Sequence, residues 1–310
     1  MKVLVTGGAG YIGSVLIPLL LARGFEVIAL DNFMYRQSSL NHVCYHPKFK
    51  IIKGDLRDKE ILAPLVDWAD IVIPLAALVG APLCKKDPFT ATAVNLTATV
   101  ALIKSVDSSK WILMPTTNSA YGSGDENHFC TEESPLNPIS QYAREKIEVE
   151  KILLNHPNAI SFRLATVFGM SPRMRIDLLV NDFMYRAVHD KAVLLFESHF
   201  KRNFIHVRDV CKAFLHGIDN FAAMKGEVYN VGLSDANLSK HELCEKIKQK
   251  IPSFTFIEAP IGKDPDQRNY IVSNEKIEKT GFTPDYSIDD GIVELMKGFH
   301  MLRNSMYSNV

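Results

Sequence analysis

A strand, a glycine turn and a helix follow one another at the N-terminus, and no other feature restricts the fold as much. Lys2-Val3-Leu4-Val5-Thr6 has the length and apolar content of a buried strand. Gly7-Gly8-Ala9-Gly10-Tyr11-Ile12-Gly13 comes directly after it and leads into an apolar segment of helical length. In that setting the glycines let backbone turn sharply and approach an anionic group. The following helix N-terminus adds amide donors and positive dipole, the arrangement that receives a dinucleotide pyrophosphate. No Gly-Lys-Ser/Thr follows the turn, which excludes a P-loop.

Further apolar runs of strand length recur at 25–30 (FEVIAL), 50–53 (KIIK), 70–76 (DIVIPLA) and 111–116 (WILMPT), with helix-sized segments between them. Short Val/Ile-rich runs alternating with helices predict parallel βα units covered on both faces, that is, an α/β fold with a Rossmann-type doubly wound parallel sheet. Segments 87–106 and 139–155 read as helices packed on that sheet. Asp87-Pro88 supplies a cap and a first-turn proline for the earlier one. Beyond residue 170 the pattern loses regularity, through MSPRMR, the helix-like DLLVNDFMYRAVHD, KRNFIHV and the Pro/Asp-rich KDPDQRNY. The expected division is a dinucleotide-binding domain over 1–170 and a smaller substrate-binding lobe over 171–310. Strands near 203–207 and 227–232 are expected to return to the main sheet.

Charge points to local rather than global binding of anions. Lys+Arg and Asp+Glu balance at 35 each, so no overall field favours nucleic acid or an acidic membrane. The five cysteines are scattered without a CxxC pair, which predicts free thiols, no bound metal and a cytoplasmic location. The apolar stretch after Lys2 is broken by Gly7, Gly8, Gly10 and Gly13, and no apolar run reaches the roughly 18 residues of a membrane span.

Asp31 ends the second strand, where a carboxylate accepts from both hydroxyls of the adenosine ribose and repels a 2′-phosphate. That predicts NAD as cofactor. Asp55, in KGDLRD after the third strand, has two readings: an acceptor for the adenine amino group, or the cap of a helix starting near Arg57.

Ser140-Gln141-Tyr142-Ala143-Arg144-Glu145-Lys146 puts a phenol and an ammonium one helical turn apart, a spacing that chance also produces. Its company gives it weight. TGGAGYIG, Asp31, KGDL, LAA (75–77), NLT (95–97), PTTNSAYG (115–122), YAREK and RNFIHVRDV together resemble the extended short-chain dehydrogenase/reductase family, in particular its nucleotide-sugar epimerases and dehydratases. The resemblance spans nearly the whole chain. It implies dinucleotide contacts from Gly7, Gly10, Tyr11, Ile12, Gly13, Asp31, Asn32, Asp55, Leu56, Leu75, Ala76, Ala77, Asn95 and Lys146.

The chemistry can be stated beside the resemblance. A free tyrosine has a pKa of about 10, and drawing it down by about three units takes roughly 4 kcal/mol of preferential phenolate stabilisation. Lys146 and the nicotinium ring of bound NAD are the expected sources, which makes Tyr142 a general base for a sugar hydroxyl. The resemblance assigns Thr117 to share that hydroxyl and Lys146 to tether the nicotinamide ribose. It also suggests Tyr121 as a wall of the sugar pocket, and Thr116 and Ser119 as supporting contacts. At the position where 4,6-dehydratases of the family carry Asp-Glu, this chain has Asn118-Ser119, and neither titrates near neutrality.

The expected substrate is a nucleoside-diphosphate sugar, oxidised at C4 through a 4-keto sugar by a 4-epimerase or a 4-dehydrogenase. GDP- or UDP-linked hexoses or heptoses of surface polysaccharide synthesis fit this chemistry. A 4,6-dehydratase and a non-catalytic nucleotide-sugar sensor are the alternatives. Substrate contacts are expected from Thr117, Asn118, Tyr142, Thr166, Arg202 and Arg268. Thr166 stands where the family has an asparagine, and Arg173 and Arg175 have two readings: substitute contacts, or a solvated charged loop. His206 and Asp209 read as a strand-end histidine and a helix cap. The resemblance implies a homodimer built through 87–106 and 139–155.

Overall fold

The computed structural model describes residues 1–36, 38–123, 128–262 and 267–302. Residues 263–266 of the Pro/Asp-rich run lie outside that set. Seven parallel strands form the main sheet: β1 (Lys2–Thr6), β2 (Glu26–Asp31), β3 (Phe49–Lys53), β4 (Ile71–Pro74), β5 (Trp111–Thr117), β6 (Ala159–Leu164) and β7 (Val228–Val231). Their order is β7-β6-β5-β4-β1-β2-β3. The chain winds outward from β1 to β3, crosses back to β4 and winds the other way, so a crevice opens at the carboxyl ends of β1 and β4. Strands β1, β4 and β6 are buried along nearly their whole length, which is why they read as continuous apolar runs.

Two apolar layers cover the sheet. One joins Val3, Val5 and Ile73 to the helix Gly13–Ala22 and to Val210, Phe214 and Ile218 of the helix Val207–Asp219. The other joins Leu4, Val72 and Met114 to the helices Lys59–Trp68 and Gln141–Leu153 and to Leu102 and Ile103. A third core belongs to the smaller lobe and is built on Phe168, Met184, Phe204, Leu243, Phe254 and Phe299.

Part of the expected topology needs correction. The 227–232 segment does supply β7, but the strand Lys201–His206 does not enter the main sheet. It pairs in parallel with Thr166–Phe168 and antiparallel with Asn237–Ser239 in a separate three-stranded sheet. The reason lies at Ala165. There β7 already holds the free edge of β6, and Ala165 N–H bonds the Val231 carbonyl at 2.9 Å. The chain then leaves as a new short strand, and only that continuation is open to 204–206. The helix 207–219 nevertheless returns to cover the main sheet, so the C-terminal half contributes to both bodies.

Helix starts follow local chemistry. Asp58 caps Lys59–Trp68 by accepting from Glu60 and Ile61 amides, so Asp55 is not that cap. Asp87 caps the helical run that begins at Pro88, which loosens into a π-helical turn over Ala93–Ala98 before continuing over Thr99–Ser105. Ser140 caps Gln141–Leu153. Asp209 is not a cap either: His206 caps 207–219, and buried Asp209 accepts from the amides of Asp285 and Tyr286. The last helix, Ile288–Met301, is tied in by Glu294, whose carboxylate accepts from His206 Nε2 at 2.6 Å, from Met170 N–H at 3.1 Å and from Arg208.

All five cysteines are free thiols. Among the described residues, no cluster of His, Cys, Asp and Glu could hold a metal ion, and no helix is long and apolar enough to cross a membrane.

Candidate active site

The crevice at the switch point is a long cleft. It is lined by the glycine turn and the ends of β1, β2 and β4, and by Thr117, Tyr142, Lys146, Thr166, Arg173, Arg175, Arg268 and Tyr270. The glycine turn is shaped by close approach. Gly7 has φ +69°, its N–H bonds the Leu30 carbonyl at 2.8 Å, and a Cβ there would sit 2.6 Å from Ala76 N. A Cβ on Gly13 would lie 2.5 Å from the Gly8 carbonyl oxygen, so this glycine lets the helix begin tightly against the turn. Gly7→Ala is therefore expected to cost on the order of 1–3 kcal/mol of stability and to weaken dinucleotide binding. Thermal unfolding with and without NAD checks both. An unchanged transition in each condition would refute the tight-turn account.

Asp31 lines the cleft with both oxygens engaged: Oδ2 accepts from Ala9 N–H at 3.0 Å and Oδ1 from Phe33 N–H at 2.8 Å. Burial pushes its carboxyl upward, against the pull of the two amides and of Arg173. Asn32 and Leu56 also line the cleft. Asp55 lies there too, gripped by Arg57 through Nε at 2.8 Å and Nη2 at 2.9 Å, which holds its carboxyl down to about 2. Leu75, Ala76 and Ala77 form the floor beyond β4, whereas Asn95 does not reach the cleft. Asn95 is fully buried, and its amide accepts from Leu78 N–H at 2.8 Å and donates to the Leu78 carbonyl at 2.9 Å, so it shapes that floor from behind.

Tyr11 and Ile12 line the cleft, but the Tyr11 hydroxyl is spent on the lobe. It donates to the Gly169 carbonyl at 2.6 Å and accepts from Asn181 Nδ2 at 3.3 Å. Beside it Ser171 Oγ donates to the Tyr11 carbonyl at 2.7 Å, and Ser14 and Ser171 share a hydrogen bond of 2.9 Å. These bonds stitch the 169–177 loop onto the first βα unit. The sequence carries no local sign of them.

Tyr142, Lys146 and Glu150 lie one turn apart along the helix 141–153. Lys146 and Glu150 are 4% exposed, and Tyr142 and Lys146 line the cleft. Lys146 Nζ sits 6.0 Å from the Tyr142 ring centroid and 3.5 Å from the Pro115 carbonyl oxygen. The acidification of Tyr142 is expected with a nicotinium ring bound beside Lys146, and the protein alone starts from the opposite side. Burial dominates, pushing the phenol up to about 12, and the cations that counter it are Arg175 and Arg268. Burial also lowers the Lys146 ammonium to about 8.

Thr117 lines the cleft at the end of β5, its Oγ1 accepting from Ser119 N–H at 3.1 Å and keeping a proton to donate. Thr116 lines it too, but its hydroxyl is committed inward to Glu150 Oε2 at 2.8 Å. Asn118 is not a cleft residue: it is 1% exposed, turned into the protein by the tight turn 118–121. Tyr121 is likewise core rather than wall. Its hydroxyl donates to Asn230 Oδ1 at 2.7 Å and accepts from Arg163. Arg202 is 3% exposed, lies outside the lining and stacks its guanidinium over the Tyr270 ring at 5.8 Å. Arg268 does line the cleft and donates to Ser119 Oγ.

Three participants escaped the motif reading. Tyr35 lines the cleft with its ring 4.0 Å from the Arg173 guanidinium. Glu150 and Arg163 form a buried ion pair at 2.6 Å behind Thr116. An acidic residue one further turn along the Tyr142–Lys146 face was the available signal for Glu150; Tyr35 had none.

A model of the NAD dependent epimerase/dehydratase family matches residues 3–232. The low-salt glycan biosynthesis protein Agl12 of Haloferax volcanii is 31% identical over 94% of this chain and 96% of its own length. Mouse dTDP-D-glucose 4,6-dehydratase is 28% identical over 98% of this chain and 91% of its own. Among solved structures, UDP-glucose 4-epimerase of Thermus thermophilus in complex with NAD superposes with a TM-score of 0.82 at 25% identity, covering 97% of this chain and 99% of that one. UDP-glucuronic acid 4-epimerase of Bacillus cereus gives a TM-score of 0.86 at 22% identity, with 97% and 99% covered.

Proposed function

The chain belongs to the NAD-dependent epimerase/dehydratase family, and from that membership and the chemistry of its cleft we propose an NAD-dependent enzyme that oxidises a nucleoside-diphosphate sugar at C4. The reaction ends as a 4-epimerase or a 4-dehydrogenase acting on a GDP- or UDP-linked hexose or heptose in surface polysaccharide synthesis. One observation carries this reading. Thr117, Tyr142 and Lys146 share a cleft with the glycine turn, while the following positions hold Asn118, buried away from it, and Ser119, bound to Arg268.

The residues fit NAD. A Cβ on Gly10 would meet only the Gly7 carbonyl, so the turn shows open backbone, and Asp31 stands at the end of β2 as a ribose acceptor that disfavours a 2′-phosphate. By family likeness Lys146 would hold the nicotinamide ribose. When bound, NAD supplies the oxidant, taking up hydride from the sugar carbon. Tyr142 removes the proton from the C4 hydroxyl, and Thr117 orients that hydroxyl by donating and accepting at once. Arg268 is the guanidinium offered to the substrate diphosphate.

A second reading, 4,6-dehydration, is favoured by the mouse relative and opposed by Asn118-Ser119. Elimination requires proton transfers at two further sites, and neither side chain titrates near neutrality. The test is to add UDP-, GDP- and dTDP-sugars in turn to the NAD-loaded protein, following the reduced-nicotinamide absorbance and the product by mass and NMR. A band that grows and persists identifies a dehydrogenase, and an isomer without net band growth identifies a 4-epimerase. A 4-keto-6-deoxy product would replace the first reading with the second. No reaction with any donor would sink both.

A further inference from the structure

We propose that Arg175 is a positioning residue for Tyr142: a permanent cation, delivered by the lobe loop, that sets how readily the phenol releases its proton. The proposal rests on reading Tyr142 as the proton acceptor. Its starting point is the anchoring of residues 169–177. Ser171 and the Arg173 amide bond the first βα unit at Tyr11 and Ser14, and Asn181 Nδ2 donates to the Arg175 carbonyl at 2.9 Å while also holding the Tyr11 hydroxyl. The backbone of Arg175 is therefore fixed relative to the glycine turn.

Its side chain is fixed as well. The guanidinium meets Asp177 at 2.5 Å, with side chains only 12% and 15% exposed, and both rest on Gly80. A Cβ on Gly80 would lie 3.6 Å from Arg175 Nη2 and 3.8 Å from Asp177 Oδ2. The same short segment packs on the phenol ring, since Leu78, Leu83 and Cys84 form one apolar cluster with Tyr142. Residues 78–84 thus join the ion pair to the tyrosine, and Arg175 and Tyr142 face the same cleft.

The charged neighbours of the phenol come from four elements. Its own helix brings Lys146, together with Glu145, which acts on Lys146 and Cys84. The segment 81–86 brings the Cys84 thiol, kept neutral by burial. The 267–270 segment brings Arg268, and the lobe loop brings Arg175 with Asp177. Burial raises the Tyr142 phenol, and Arg175, ahead of Arg268, is the guanidinium that opposes it. The chemical types explain why an arginine serves. Lys146 is lowered to about 8 by burial and loses charge within the working range, whereas a guanidinium stays charged throughout.

The main readout needs no sugar substrate. Protein labelled with [13Cζ]tyrosine and saturated with NAD is titrated by NMR from about pH 7 to about pH 11, with the Tyr142 resonance assigned by its loss in Tyr142→Phe. Arg175→Gln is expected to raise the Tyr142 midpoint by on the order of one pH unit, and Arg175→Lys to raise it by less. Asp177→Asn is expected to lower the midpoint, because the carboxylate that partly neutralises the guanidinium is gone. Opposite shifts from the two halves of one ion pair are not the mark of a general packing defect, and if Arg175→Gln fails to fold, the Arg175→Lys and Asp177→Asn pair carries the same comparison. A midpoint unmoved in Arg175→Gln and Asp177→Asn overturns the proposal, as does a higher KM for the sugar nucleotide in Arg175→Gln with the midpoint unchanged. Failure of the underlying reading would show differently, as turnover that survives Tyr142→Phe.

Discussion

Tyr142→Phe is expected to cut turnover roughly 10²- to 10⁴-fold while leaving NAD affinity unchanged. The substitution deletes one oxygen and keeps the ring that packs with Leu78, Cys84 and Val94, so the cleft keeps its shape. The pH dependence has a defined sign. Burial places the phenol at about 12 in the protein alone, so it is protonated at neutrality, and any bound cation lowers that value and enlarges the basic fraction. Wild-type activity should therefore climb with pH up to the phenol's value in the NAD complex, and the variant's residual activity should lose this climb. Steady-state rates over a pH series, with calorimetric titration of NAD, check both halves. Activity within tenfold of wild type, or lost NAD binding, would remove Tyr142 from its assigned role.

Glu150→Ala should be the most damaging single change to stability. Glu150 is 4% exposed, pairs with Arg163 at 2.6 Å and accepts from the hydroxyls of Thr116 and Ser161, each at 2.8 Å. Its removal leaves the Arg163 charge buried without its counterion, a loss of about 3–5 kcal/mol. For a chain of this size that lowers Tm by on the order of 10 °C. Replacing Arg163 with methionine in the same chain should recover part of the loss, because two well-packed apolar groups cost less than one stranded ion. Differential scanning calorimetry of both variants decides the matter. A drop of a degree or two in Glu150→Ala would show that the pair contributes little. The effect also reaches the cleft, since Thr116 precedes Thr117 and Glu150 holds the Thr116 hydroxyl.

What was legible in the sequence was whatever a short window contains. The strand–glycine–helix unit, Asp31 at a strand end, the Asp87 cap, and Tyr142 and Lys146 on one helical face all follow from spacing. Errors arose where long-range geometry decided. Asp55 had two readings by sequence, and the capping one fails because Asp58 caps Lys59–Trp68, leaving Asp55 to Arg57. The strand 201–206 has the pattern of a sheet strand, but its partner depended on β7 having already occupied the edge of β6. Arg202 and Tyr121 carry chemistry suited to a cleft, yet both are core residues whose polar ends meet other buried groups. Arg175 stands among charged residues in an irregular stretch, and nothing in that stretch announces that Gly80 and Asp177 will hold it.

Glu294 has a consequence for how the protein comes into being. The loop carrying Arg173 and Arg175 hangs on Met170, and Met170 N–H is held by a carboxylate more than a hundred residues downstream. A ribosome releases β1 to β6 first, and that portion can collapse on its own apolar layers before the rest is made. The loop has early anchors at Tyr11, Ser14 and Asn181. Its brace from Glu294 comes only when Ile288–Met301 emerges and docks, so the last tightening of the segment that leads to Arg173 and Arg175 awaits the C-terminal helix.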